Sequence, residues 1–117
     1  MIAHVVLFRI RSDVTIANRR AIIDAWARAL KEIPSIRRAR VGRRIQIGRS
    51  YESLTRLDFP YAAILEFDDV DGLRAYLDHS AHEPLATQWF AALEDTLIYD
   101  FDVTGDADGL LGMLSET

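Results

Sequence analysis

The apolar positions of this chain follow two different periods, which predicts a protein built from both strands and helices. Ile2 to Ile10 is a short, nearly unbroken apolar run that is rich in β-branched residues. Such a run predicts a strand that is buried on both faces. The period of two places His4 on the same face as Val6 and Phe8.

A helical period begins after this strand. Ser12, Asp13 and Thr15 are residue types that cap helices, and the chain then repeats an apolar side chain at spacings of seven, three, four and three. The repeating residues are Ile16, Ile23, Trp26, Leu30 and Ile33. The pattern is typical of an amphipathic helix that stops before Pro34, and we expect one face of it to pack on a sheet.

Two further strands are predicted in the middle of the chain. The first spans Ile36 to Ile47 and is interrupted near Gly42, where a bulge would be natural. Arg49 to Asp58 is polar and aperiodic, as in a connecting loop, and Tyr61 to Phe67 forms the third strand. The first of these strands stops at Gly48, a residue type that commonly terminates regular structure.

The last third of the chain predicts a broken helix and a final strand. Asp69 or Asp71 can cap a helix that carries Tyr76, and Pro84 opens a second helical stretch. Thr96 to Val103 alternates strictly, with an apolar side that holds Leu97, Tyr99, Phe101 and Val103 and a mostly polar side that holds Thr96, Ile98, Asp100 and Asp102. Gly105 onward is predicted to be a tail, whose apolar residues could dock on a neighbour.

The resulting order is β-α-β-β-α-β, which predicts an α+β, ferredoxin-like fold with a four-stranded antiparallel sheet and helices on one face. We expect residues 1–104 to form this domain and residues 105–117 to form a C-terminal tail. Helices on one face cannot cover a first strand that is apolar on both faces. The simplest cover is the sheet of a second copy, so the pattern predicts a homodimeric α/β barrel with space for a small molecule.

Composition narrows the function classes. The chain has 117 residues, no cysteine and a formal charge of −4, and no apolar run approaches the roughly 18 residues of a membrane span. We therefore expect one cytoplasmic domain with no signal peptide, no thiolate metal site and no membrane partner. The negative charge argues against nucleic acid. The arginines between Arg37 and Arg49 are interpreted as an exposed edge. The alternatives are a phosphate or RNA site and a site that attracts an anionic carrier such as a coenzyme A thioester.

Three sequence blocks resemble the stress-responsive dimeric α/β barrel, or Dabb, family. They are the opening Met-Ile-Ala-His-Val-Val-Leu-Phe-Arg, the Tyr-X-X-His-X-X-His block at Tyr76, His79 and His82, and the closing Ile98-Tyr99-Asp100-Phe101. The resemblance covers about residues 1 to 103 and implies a homodimeric ferredoxin-like barrel. It does not imply one reaction, since the family includes stress-associated proteins without assigned chemistry and a plant polyketide cyclase.

The second block departs from the family pattern, because a serine and an alanine lie between the two histidines where the family usually has His-Pro followed by a further His. Ser80 and Glu83 fit a capping box, whereas Pro84 as a first-turn residue favours a helix that starts nearer Glu83. Both starts remain open from the sequence.

The chemistry available to the chain centres on its three histidines. His4 lies on an apolar strand face, as either a hydrogen-bonded core histidine or a pocket wall. By resemblance to the cyclase branch, His82 would abstract a proton next to a carbonyl, Tyr76 would donate a hydrogen bond to the oxyanion, and His4 would line the pocket. A metal at His79, His82 and Glu83 is disfavoured, because His-X-X-His lacks a third defined ligand.

Two functions therefore remain. The first is a homodimer that binds a small apolar or carbonyl ligand without catalysis, and it needs no cofactor or metal. The alternative is a cofactor-independent lyase or cyclase of a polyketide-like carbonyl substrate, with His82, Tyr76 and His4 as its catalytic residues.

Overall fold

A four-stranded antiparallel sheet forms the centre of the computed structural model, which describes residues 1–115. The strands are β1 (Ile2–Ile10), β2 (Arg38–Arg43), β3 (Tyr61–Phe67) and β4 (Leu93–Asp102), in the spatial order β2-β3-β1-β4. The helices are α1 (Ile16–Glu32), α2 (Val70–Asp78), α3 (His82–Ala92) and α4 (Ala107–Ser115). The predicted ferredoxin-like order is thus confirmed, with α2 and α3 as the two pieces of the broken helix.

The core lies on one face of this sheet. Alternate residues of β1 and β3 point to the helices and are buried, among them Val6, Phe8, Leu65 and Phe67. Because successive strand residues point to opposite faces, the intervening residues form an open face that no helix of the described chain covers. The strongly apolar β1 and β3 supply side chains to both faces, as the sequence predicts.

The second strand is shorter than predicted. It ends at Arg43, where its pairing partner Tyr61 begins β3, so Ile45 and Ile47 have no neighbouring strand and are exposed. The predicted bulge at Gly42 is also wrong, because Gly42 pairs with Ala62 in unbroken register. A register shift occurs instead between Arg9 and Ile10, where β1 meets the start of β4.

The first helix packs differently from the prediction. Thr15 caps it, accepting a hydrogen bond from the backbone N–H of Asn18, and Ala29 and Ile33 are buried in the core. Ile16 and Ile23, however, are exposed. The helix packs against α3 and makes few contacts with β2. The predicted apolar stripe is therefore only partly covered.

The structure shows where the third helix and the last strand begin and what the C-terminal segment forms. The third helix begins at His82 after Ala81, with no side-chain cap, and Pro84 lies in its first turn. The strand β4 begins at Leu93, three residues before its predicted start at Thr96. Within the predicted tail, Ala107–Ser115 forms the helix α4, while Glu116 and Thr117 lie outside the described residues. None of the helices over residues 1–115 is long and apolar enough to cross a bilayer.

Candidate functional site

His4 and Asp100 form the first pair of the candidate site. They lie opposite each other in the antiparallel pairing of β1 with β4, and His4 Nδ1 is 2.6 Å from Asp100 Oδ1. His4 is buried, whereas 45% of the Asp100 side chain is exposed. Because the carboxylate can only accept, Nδ1 carries the proton of this hydrogen bond. The ring is thereby fixed in orientation, with Nε2 left for other contacts.

Tyr76 and His82 complete the cluster from the helix side. Tyr76 lies near the end of α2, and its ring centroid is 5.8 Å from that of His4 and 4.7 Å from that of His82, both edge to face. Tyr76 is buried, and His82 is half-buried at the first position of α3. The break between α2 and α3 therefore brings the two ends of the sequence block over His4. The structure places all three predicted site residues together.

The environment sets the protonation of the two helix residues. Burial raises the pKa of Tyr76 to about 12, so its hydroxyl keeps its proton at neutral pH. Burial also lowers the pKa of His82, and the nearby charge of His4 lowers it further. At neutral pH the site therefore holds a phenol that can donate a hydrogen bond next to an imidazole that can accept a proton.

His79, the middle histidine of the block, has a different role. It is half-buried, and its Nδ1 accepts a hydrogen bond of 3.0 Å from the backbone N–H of Ala81. This contact holds the turn that joins α2 to α3, and His79 does not line the cavity described next. Within residues 1–115, no group of three or more histidine, aspartate or glutamate side chains is placed to hold a metal ion.

A cavity of about 60 Å³ lies against the cluster. His4, Tyr76 and His82 line it together with apolar residues that include Leu65, Trp26 and Trp89. One water needs roughly 10–15 Å³ of such space, so the cavity admits a chemical group of about four heavy atoms. It is too small for a whole drug-sized molecule, which needs roughly 300 Å³ or more.

A larger groove of about 450 Å³ lies between α1 and β2. It exists because α1 stands away from β2, and its walls include Phe8, Ile23 and Val41. Trp26 and Trp89 line both the groove and the cavity. Trp89 Nε1 is buried without a hydrogen-bond partner among the described residues. A buried donor of this kind is costly unless something accepts from it.

Sequence reasoning missed two members of this site. Asp100 was placed on the polar side of the last strand, but its partner could be found only from the register that sets it opposite His4. Trp89 fits the apolar pattern of its helix, but no sequence pattern indicates that it lines both the cavity and the groove. Each of these roles depends on contacts between elements far apart in the chain, which no local pattern encodes.

This chain is similar to one known protein family and to several solved structures. The family model for the stress responsive A/B barrel domain, Dabb, matches residues 2–103. No curated protein matches. Among solved structures, a dimeric ferredoxin-like protein of unknown function from Thermobifida fusca is 25% identical, with a TM-score of 0.66 and coverage of 87% of this chain and 90% of that one.

Two similar structures belong to enzymes, and at their level of identity they show the fold alone. The hydroxynitrile lyase from Passiflora edulis is 19% identical, with a TM-score of 0.72 and coverage of 90% of this chain and 94% of that one. The cofactor-independent oxygenase SnoaB from Streptomyces nogalater is also 19% identical, with a TM-score of 0.64 and coverage of 91% and 95%. Since the family model spans every strand of the sheet and the whole candidate site, the chain belongs to the Dabb stress-responsive A/B barrel domain family.

Proposed function

We propose that this protein is a homodimer that binds a small ligand with a carbonyl head and an apolar body. The head would occupy the cavity at His4, Tyr76 and His82, and the body would lie in the groove between α1 and β2. One observation carries this proposal: the polar cluster and the apolar groove share Trp26 and Trp89 as walls.

The hydrogen-bonding groups of the cavity favour a carbonyl. Tyr76 has a hydroxyl with no hydrogen bond to another described side chain, and its raised pKa keeps that hydroxyl a donor. Trp89 Nε1 is a second donor without a partner in residues 1–115. A carbonyl oxygen accepts two hydrogen bonds and carries no charge to desolvate. It therefore suits this apolar enclosure better than a carboxylate or an ammonium group would.

The open face supports the homodimer. Val5, Leu7 and Ile64 are only half-buried there, and Tyr99 and Phe101 are 56% and 49% exposed. Contiguous apolar surface of this kind marks an interaction site on a folded domain. The similar protein from Thermobifida fusca is described as dimeric. Pairing two open faces would remove this surface from water.

Ligand binding is tested with a series of ketones and aldehydes that carry aliphatic or aromatic bodies of increasing size. We expect thermal stabilisation and saturation-transfer NMR signals that strengthen as the body fills the groove. The matched alkanes and carboxylates should bind at least tenfold more weakly.

The two histidines of the sequence block supply the variant and its control. His82→Gln should weaken ketone binding, because His82 lines the cavity. His79→Asn should leave it within about twofold, because the asparagine oxygen can still accept from the Ala81 N–H and hold the turn. Equal losses in both variants, or equal binding of ketones and alkanes, would contradict the proposed head site.

A second candidate function is a cofactor-independent lyase or cyclase, and the protonation of the cluster favours it. His82 would remove a proton from the carbon next to the carbonyl, and Tyr76 would hydrogen-bond to the enolate oxygen that forms. His4, held by Asp100, would line the pocket and orient the bound carbonyl. The proton moves from carbon to His82, and the electron pair of the broken C–H bond moves onto oxygen.

Proton abstraction can be detected before any natural substrate is identified. A bound ketone in deuterated buffer should exchange its α-protons faster in the presence of the protein, as read by NMR. His82→Gln should slow this exchange by about 10²-fold or more, and Tyr76→Phe should slow it substantially as well. Exchange that is unchanged in both variants would reject catalysis, and binding alone would remain.

A further inference from the structure

The groove between α1 and β2 has apolar walls and a single positive charge. Ile23 and Val41, on opposite walls, are 58% and 64% exposed, so both walls are open to water. Arg43 also lines the groove, and none of the described residues that line it is an aspartate or a glutamate. The charge of Arg43 is therefore not balanced by an acidic side chain within the groove.

The register of the sheet places Arg43 at the end of the groove that lies far from the candidate site. Arg43 is the last residue of β2 and pairs with Tyr61, which in turn pairs with Phe8. Phe8 and Tyr61 stack with ring centroids 5.5 Å apart on the helix-covered face, so Arg43 lies on that face as well. His4 shares its level with Ala39. That level is roughly 13 Å from Arg43 along the strand.

Arg43 differs from the neighbouring arginines because its charge is unpaired. Arg37, Arg40 and Arg44 each form an ion pair with an acidic side chain. In the part of the chain that the structure describes, the exposed side chain of Arg43 has no ion-pair or hydrogen-bond partner. Arg38 is also unpaired, but its position in β2 places it on the opposite, open face of the sheet. Arg43 is thus the arginine available to a ligand in the groove.

We propose that the ligand of this site is a keto acid, with its carbonyl in the cavity and a terminal carboxylate bound by Arg43. The inference rests on the proposed function and deepens it by naming the ligand class. A guanidinium presents paired N–H donors that match the two oxygens of a carboxylate. Tyr61 also lines the groove, and its hydroxyl has no hydrogen-bond partner among residues 1–115. One arginine and one phenol match the single charge of a carboxylate better than the nearly double charge of a phosphate monoester.

The exposure of Arg43 makes this end of the groove suitable for an anion that the cavity would exclude. A carboxylate beside Arg43 keeps part of its hydration while it gains a partner of opposite charge. In the cavity, the same group would lose its water among apolar side chains such as Leu65 and Trp26. The charged end of the ligand therefore lies at the groove and the carbonyl lies inside.

The distance between the two ends sets the length of the ligand. An extended chain advances roughly 1.2 Å per bond, and the side chain of Arg43 can reach back along the groove by roughly 6 Å. To span the separation of His4 from Arg43, roughly six to eleven bonds should join the carbonyl carbon to the carboxylate carbon. A shorter keto acid cannot reach both groups at once.

A series of keto acids of different length tests the inference. Methyl ketones that end in a carboxylate after two to ten methylene groups are compared with their own methyl esters by calorimetry. The ester keeps the carbonyl and the chain but lacks the charge. With five or more methylene groups, we expect the acid to bind about three- to tenfold more tightly than its ester. With two methylene groups the acid should have no advantage, and high salt should reduce the advantage of the longer acids.

Two arginines of the same strand supply the variant and its control. Arg43→Gln should remove the advantage of the acid over the ester. It should leave the affinity for the ester within about twofold, because glutamine keeps part of the aliphatic stem. Arg38→Gln removes the same charge from the open face and should keep the advantage. Arg43→Lys retains the charge without the paired donors and should keep part of the advantage.

The outcomes separate this inference from the proposed function. If the esters bind and the acids bind no more tightly at any length, the anion site is overturned and the proposed carbonyl ligand stands. Equal losses in Arg43→Gln and Arg38→Gln would mean that the overall charge of the strand attracts the acid, which would also overturn the role of Arg43. If neither acids nor esters bind, both the proposed function and this inference are overturned.

Discussion

The two faces of the sheet differ although the same strands build both. On β3, Leu65 points to the helices and is 1% exposed, while its neighbour Ile64 points to the open face and is only half-buried. The helix-covered face holds the aromatic core and all the histidines that contact the cavity, and the open face holds aliphatic side chains, aromatic rings and arginines. Strands that are apolar on both sides need cover on both sides, and the helices of one chain supply only one.

We expect the largest effect on the free energy of unfolding when these two neighbours, Leu65 and Ile64, are each replaced by alanine. Leu65→Ala should lower the free energy of unfolding by about 2–5 kcal/mol, because it removes a buried side chain and enlarges the cavity that this side chain lines. Ile64→Ala should cost less at low protein concentration, and its cost should depend on concentration because the proposed homodimer would cover this side chain. Urea unfolding at two protein concentrations measures both. If Ile64→Ala lost as much free energy of unfolding as Leu65→Ala, at both protein concentrations, the two faces of the sheet would not differ in how they are covered.

We expect a smaller effect on the free energy of unfolding from substitutions where β4 pairs with β1. Asp100→Asn replaces the carboxylate that accepts from His4 Nδ1 and should cost about 1–2 kcal/mol, toward the low end because Asp100 is partly exposed. Asp102→Asn, two residues further along the same side of β4, removes the same charge without that contact. Its cost should stay below about 0.5 kcal/mol. If both variants lose the same stability, the pairing of His4 with Asp100 contributes nothing specific.

The smallest expected effect is a pH dependence of the free energy of unfolding that arises from His82 on the helix-covered face. The pKa of His82 is lowered in the folded protein, so the unfolded chain binds a proton more readily than the folded one. His82 therefore stabilises fully above its unfolded pKa of about 6.5, and this contribution is lost as the pH falls toward the folded pKa. Unfolding experiments should show a shallower loss below pH 6.5 for His82→Gln than for the wild type. The dimer dissociation constant should have the same pH dependence in His82→Gln as in the wild type, because His82 lies on the other face of the sheet. If the substitution changed that pH dependence as well, the two faces would not act independently.

Local patterns were sufficient for the elements whose period is strong. β1 and β3 have the predicted bounds, and His4, Tyr76 and His82 meet as the sequence blocks implied. The order of elements alone yields the ferredoxin-like topology, because few arrangements satisfy it.

The failures occur where an element depends on a distant neighbour. Ile45 and Ile47 continue an apolar alternation, but a strand ends where its partner ends, and β3 offers nothing beyond Tyr61. Ile23 fits the stripe of α1, yet the tilt of that helix leaves it at the groove. The pairing of Asp100 with His4 likewise follows from register, which only the assembled sheet defines.

The central claim is that a second copy of the chain covers the open face of the sheet. Light scattering on the purified protein at micromolar concentration tests it most directly. We expect a particle of twice the chain mass of 13.3 kDa. A stable, soluble particle of the single chain mass at that concentration would contradict it.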